Sequence, residues 1–200
     1  MNGKSWAAGS LAPGLISEGA TRSTGSSALD QALGGGWPLG AITELTYAVE
    51  GIGELRLLLP ALVSATMAQL WAAWVAAPHT PYAPALQRAG VQMARVLVVE
   101  AQTSEDRCWA LERCLQSSEC GVTLFWTRVG GTSAWRRLQR AAEWGGGIGI
   151  WLHQGGHDPD CVAALRLRVD RTREGGTAVY VAKRRHGWPV GPIPVMETFR

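Results

Sequence analysis

The sequence predicts an α/β protein: a mostly parallel sheet sandwiched by helices, with an antiparallel hairpin near its C-terminal end. Three observations predict it. Strand-like runs alternate with segments of helical period from residue 26 to residue 154. Several of those runs, such as AAWVAA at 72–77 and the VLVV within 95–101, are continuously apolar, as strands of a sheet covered on both faces are. After Cys161 the pattern changes to alternation in ALRLRVD at 164–170, then Glu174-Gly175-Gly176, then AVYVAK at 178–183, which reads as an appended hairpin.

The elements follow in order. Residues 1–22 are rich in Gly, Ser, Thr and Ala and are expected to be a flexible lead-in to one domain spanning 23–190. A short helix at 26–33 stops at Gly34-Gly35-Gly36. A strand at 41–48 leads into a glycine-bearing turn at 49–54 and a long helix at about 55–70. A strand at 72–77, a short helix at 84–90 and a strand at 95–101 come next. The helix at 104–118 takes Ser104 as its N-cap and puts Cys108, Leu111 and Leu115 on one face. A strand at 122–128, a helix at 133–145 and a strand at 148–154 precede the hairpin. Three prolines follow Trp188, and 191–200 is expected to run irregularly.

Composition narrows the chemistry. The chain has 200 residues, 46% apolar and 18% charged, enough for one domain with a sizeable core. Its only lysines are Lys4 and Lys183, which removes most lysine-dependent sites. Residues 1–127 carry 7 basic and 10 acidic groups, net −3, and residues 128–200 carry 12 and 6, net +6. A basic final third suits a phosphate backbone, an acidic protein surface, or a solvated arginine face. Arg136, Arg137 and Arg140, on one side of the 133–145 helix, are candidate contacts of this kind, as are Lys183, Arg184 and Arg185. The cysteines fit no CxxC ligand pair, so reduced thiols in a cytoplasmic protein are expected. His153 and His157 have an i,i+4 spacing that Gly155 and Gly156 interrupt, so no metal site is expected. Residues 57–78 lack charge, yet Pro60, Ser64, Thr66 and Gln69 make a poor membrane span; a buried helix and strand are expected there. No apolar stretch in 1–10 resembles a signal peptide. Trp74, Trp126 and Trp151 fall in core strands, whereas Trp6, Trp37 and Trp188 are interface candidates.

The turn after the first long strand is where a phosphate-binding P-loop, GxxxxGK[ST], would sit. The matching octet is Ala48-Val49-Glu50-Gly51-Ile52-Gly53-Glu54-Leu55. Gly53 keeps the second glycine, while Glu54 and Leu55 stand at the lysine and hydroxyl positions. Glu50 and Glu54 would repel a triphosphate. The preceding run, STGSSALDQALGGGWPLGAITEL at 23–45, resembles the start of the RecA ATPase core, where STG, LD, ALGGG, P-x-G and a strand ending in Glu-hydrophobic lead to the P-loop. Residues 81–91 resemble the short helix after that family's second strand, 150–154 the strand ending in its nucleotide-sensing glutamine (Gln154), and 164–171 with 178–185 its hairpin.

This resemblance covers about 23–187 and implies a RecA-like P-loop-type core. It places the phosphate lysine at Glu54, the Mg²⁺ hydroxyl at Leu55, the water-activating glutamate at Pro78 and the Walker B aspartate at about Thr127. Glu100 follows the wrong strand to replace either acid. The implied protein is not an enzyme and takes no cofactor; a divergent RecA-like ATPase, the less favoured alternative, would need the phosphate-binding lysine that Glu54 replaces. The loops matching the family's DNA-binding loops, about 129–132 and 155–160, hold no basic cluster.

Two non-ATPase relatives of RecA share the middle of the chain: ELRLLLP at 54–60, WVAAP at 74–78, RVLVV at 95–99 and WALE at 109–112. One is the ImuA family of translesion synthesis accessories; the other is the SulA family of division inhibitors, which bind FtsZ. The run at 23–45, RRLQRAAE at 136–143 and VAKRRHGWP at 181–189 resemble ImuA. That resemblance implies partnership with ImuB, an error-prone C-family DNA polymerase and RecA in the SOS response. The resemblance to RecA matches Lys183 and Arg185 to two RecA lysines after the hairpin that reach a neighbour's nucleotide, so contact with a RecA filament end through them is expected.

Overall fold

The computed structural model describes residues 19–172, 174–184 and 187–195. The elements are β1 Thr21–Arg22, α1 Ser27–Leu33, β2 Trp37–Pro38, β3 Ala41–Tyr47, α2 Leu59–Met67, β4 Trp71–Val75, α3 Ala83–Arg88, β5 Val96–Val99, α4 Ser104–Gln116, β6 Cys120–Phe125, α5 Gly131–Gly145, β7 Ile148–Gln154, β8 Leu165–Arg171, β9 Thr177–Lys183 and β10 Val190–Val195. Eight strands form one sheet in the order β10-β9-β8-β3-β7-β6-β4-β5. From β8 to β5 every pairing is parallel; β8, β9 and β10 pair antiparallel. This is the α/β architecture with a C-terminal hairpin that the sequence patterns predict.

The period-2 alternation of each strand sends neighbouring side chains to two separate cores. Leu45, Trp74, Leu124, Ile150 and Leu167 face one core with Leu58 and Leu62 of the segment after the glycine turn. Ile42, Val75, Phe125 and Trp151 face the other, with Leu111 of α4 and with Trp135 and Leu138 of α5. Central β3, flanked by β7 and β8, is buried at all seven positions, which explains its unbroken AITELTY sequence.

Local chemistry sets the ends. Ser26 caps α1 through Leu29 N–H, and Gly34 closes it in the left-handed conformation, φ 78°. Gly36, at φ 123°, lets the chain turn against β1: a Cβ there would lie 2.2 Å from Arg22 O.

Several expectations are corrected. The helix expected over 55–70 opens as a 3₁₀ turn, Arg56–Leu58, and becomes α-helical only at Leu59, because Pro60 lacks an N–H and suits a first turn. No described helix is long and apolar enough to cross a membrane. The tail expected to be irregular over 191–200 contains β10, which pairs with β9 through Val190↔Val181 and Ile193↔Val179. Pro192 and Pro194 are tolerated because β10 is an edge strand and needs no full set of donors. Trp37, an interface candidate by sequence, is fully buried, drawn into the core by the β1–β2 ribbon. Trp188 is 86% exposed, and Trp6 lies outside the described residues. The apolar β5 is the other sheet edge and leaves Leu97 and Val98 exposed.

The α4 N-cap is Thr103, not Ser104: its Oγ1 accepts Asp106 N–H at 3.0 Å, with extended backbone. Thr103→Ala is expected to cost about 1 kcal/mol, lowering the melting temperature by roughly 2–4 °C, while Ser104→Ala leaves it nearly unchanged. Thermal denaturation of the two variants checks this.

Candidate functional site

The glycine turn follows β3 at the C-terminal end of the parallel strands, where α/β sheets carry their sites. Gly51 (φ 77°) and Gly53 (φ 104°) give it a conformation closed to other residues. A Cβ on Gly53 would lie 2.5 Å from Thr177 Oγ1, which itself donates to Ile52 O at 2.8 Å. Glu54 is turned inward, only 7% exposed. Its Oε1 accepts the Gly51 backbone N–H at 3.1 Å. An internal carboxylate thus uses an amide of the loop that, in a working P-loop, would face a phosphate. Leu55 is exposed and has no hydroxyl to offer a metal. Glu50 pairs with His79 at 3.2 Å on the exposed rim.

Above this turn lies a cavity of about 720 Å³. Its lining is mostly apolar: Tyr47, Leu59, Trp74, Pro78, Tyr82 and Trp126. Trp74 and Trp126 stack with centroids 5.6 Å apart. Burial pushes the Tyr47 phenol up; a hydrogen bond with Trp126 works against this, and the nearby Glu50 and Glu54 carboxylates add to it. Pro78 is exposed, and Thr127 is buried with a 3.5 Å contact to Arg128 O. Gln154 ends β7 exposed, and Glu100 is exposed just beyond the edge strand β5.

The run STGSSALD builds one hydrogen-bonded corner beside the cavity. Asp30 accepts from Thr24 N and Oγ1, both at 2.7 Å, and from Ser23 Oγ.

The basic candidates are placed apart from the cavity. Arg136, Arg137 and Arg140 are exposed on α5, against the other core. Arg137 is paired with Glu112 of α4 at 3.1 Å. Gln139 between them docks α5 on the start of β3, accepting Ile42 N–H at 3.1 Å. Lys183 Nζ donates to Ala163 O at 2.9 Å, and Arg184 Nη1 donates to Ala32 O at 2.7 Å at the end of α1. Arg185 lies outside the described residues.

Sequence reasoning missed the strongest electrostatic feature. Glu44, in the middle of β3, has a fully buried side chain. Its Oε1 meets His153 Nε2 at 3.1 Å and accepts Asp158 N–H at 2.7 Å. Its Oε2 meets His157 Nδ1 at 3.1 Å and Arg166 Nε at 3.0 Å. Burial pushes the Glu44 carboxyl up, but the hydrogen bonds from His153 and Asp158 and the charges of His157 and Arg166 outweigh it, leaving the carboxyl below its ordinary value. Burial holds His157 below the usual imidazole value. Thr132 Oγ1 donates to Asp160 Oδ1 at 2.9 Å, so the loops at 129–132 and 155–160 are tied together, and the second is anchored to Glu44. The signal in the sequence was a lone acid inside an apolar strand; its register partner Arg166 on β8 is given only by the strand pairing. The four cysteines are free thiols, and burial raises that of Cys161 to about 12, an unreactive range.

None of the known protein-family models matches this chain. It is 31% identical over 114 residues to the cell division inhibitor SulA of Edwardsiella piscicida, covering 56% of this chain and 67% of that protein. It is 35% identical over 107 residues to the RecA protein of Crocosphaera subtropica, covering 52% of this chain and 30% of that RecA. The chain therefore spans less than a third of the RecA it matches. On the extent of the SulA match, and with the RecA match beside it, this chain belongs to the SulA/RecA-like family.

Proposed function

We propose that this protein is a non-enzymatic accessory of the ImuA type, acting with an ImuB-like protein and an error-prone C-family polymerase in damage-induced translesion DNA synthesis. The observation that carries the non-enzymatic part is Glu54. Its carboxylate takes up the Gly51 amide and reverses the charge a nucleotide phosphate requires. Leu55, Pro78 and Thr127 supply neither a metal-binding hydroxyl in place nor a carboxylate. The mostly parallel sheet followed by a C-terminal antiparallel hairpin supports the RecA-like part of this reading. The run at 23–45 and the α5 sequence RRLQRAAE favour the ImuA type. Lys183 is exposed, and its ammonium spends one of its three donors on the Ala163 carbonyl, which leaves two for a contact with RecA.

A second reading, a division inhibitor that binds FtsZ, is favoured by the likeness to SulA. Purified protein is offered separately to ImuB, RecA and FtsZ, and ATP is titrated by calorimetry. The expected result is capture of ImuB and no ATP binding up to about 1 mM. Capture of FtsZ without ImuB would replace the translesion role by division inhibition, and measurable ATP binding would overturn the non-enzymatic account.

A further inference from the structure

The cavity over the glycine turn has the size of a small-molecule site rather than of a packing defect, at about 720 Å³. Two of its lining side chains are more than nine-tenths buried and keep a polar atom unused. Glu54 is 7% exposed and Trp74 3%. Neither Glu54 Oε2 nor Trp74 Nε1 has a hydrogen-bond partner among the described residues. A buried carboxylate oxygen left unpaired is unfavourable, and a ligand donor that reached Glu54 Oε2 would relieve this.

The chemistry of the walls selects the ligand. The unused acceptor is a carboxylate oxygen, which takes an N–H or ammonium donor and repels phosphates and carboxylates. Glu50 on the rim adds to that repulsion. Tyr47, Trp74 and Trp126 offer aromatic faces, which attract both flat rings and cations. Arg56 and Arg88 also line the cavity but are exposed to solvent, where their charges are screened.

We propose that this cavity binds a small aromatic amine, its ring against the aromatic wall of Tyr47, Trp74 and Trp126 and its ammonium on Glu54. The inference goes beyond the accessory role proposed above and does not depend on which protein partner is correct.

Tryptamine, indole and indole-3-acetate share a ring and differ in charge, so calorimetric titration of the full chain with each isolates the role of Glu54. Tryptamine is expected to bind at least about tenfold more tightly than indole-3-acetate, as a charge-assisted hydrogen bond allows. Glu54→Gln should bring the two within about twofold while indole affinity changes little. Ala85→Trp, at an exposed lining position on α3, should block all three without disturbing the core, and circular dichroism verifies the fold of both variants. Equal or tighter binding of indole-3-acetate, a preference that survives Glu54→Gln, or no binding of any probe up to about 1 mM would overturn the proposal. Val195 also lines the cavity, and the sequence after it contains Phe199 and Arg200, an aromatic and a cation. A gain of about tenfold in tryptamine affinity on the double substitution F199S/R200S would assign the cavity to the chain itself and likewise overturn it.

Discussion

Glu44→Ala is expected to destabilise the protein by about 3–5 kcal/mol, enough to lower the melting temperature of a chain this size by roughly 10 °C. The carboxylate is wholly buried and holds His153, His157, the Asp158 amide and Arg166 at 2.7–3.1 Å. Removing it leaves the mostly buried Arg166 guanidinium without the carboxylate it pairs with. Arg166 also donates to Asp158 O and Cys161 O, so its displacement would loosen the whole 155–161 segment. Glu44→Gln keeps the shape but loses the charge, and should fall between the variant and the native protein. Urea denaturation of the three proteins measures the series; a change under 1 kcal/mol for the alanine variant would show that the network contributes little.

The same network gives stability a pH dependence of defined sign. The Glu44 carboxyl lies below its ordinary value in the fold, so its contribution is full above the unfolded value of about 4.3 and disappears as pH falls through the folded value. His157 is also held below its ordinary value, by burial first. Its stabilising contribution is therefore present above about pH 6.5 and declines as pH drops through the folded value, because the unfolded chain binds the proton first. Both act in one direction. The urea midpoint should fall below about pH 6.5 through His157 and fall again below about pH 4.3 through Glu44, the second fall being shallower in Glu44→Gln; a flat native profile from about pH 7 to about pH 3 would contradict the assignment.

Trp135→Ala should have an effect of similar size, about 3–5 kcal/mol. Trp135 is fully buried in the second core, 4.6 Å from Trp151 and 6.3 Å from Phe125 by ring centroids. Its loss opens a cavity between α5 and the sheet that rigid β6 and β7 cannot close. Trp144→Ala on the same helix, 56% exposed, should stay within about 0.5 kcal/mol. Equal losses from the two variants in urea denaturation would refute this division of the helix.

How much of this was legible beforehand depends on the range of the interaction. The helix over α5 and the strands β3 and β7 could be read from residues, because apolar period and glycine stops are local signals. The start of α2 was misread because a 3₁₀ turn and an α-helical turn share a sequence pattern. β10 was missed because Pro192 and Pro194 argue against a strand unless it is known to lie at an edge, and edge position is a fact of assembly. His153 and His157 were read as an interrupted helical pair, when a loop turns both onto one carboxylate more than a hundred residues away in sequence.

By itself, then, the sequence determined the alternation of strands and helices, the glycine turn, and the presence of Glu54 where a phosphate loop would need a lysine. These are properties of neighbours along the chain, set by side-chain periodicity, backbone freedom and charge. Only the tertiary structure decided that Glu54 faces inward onto Gly51, that Trp74, Trp126 and Tyr47 surround an open cavity above it, and that Glu44 gathers two imidazoles and a guanidinium. Each of those depends on which strands lie side by side, and the register that places Arg166 opposite Glu44 arises from long-range packing rather than from any local pattern.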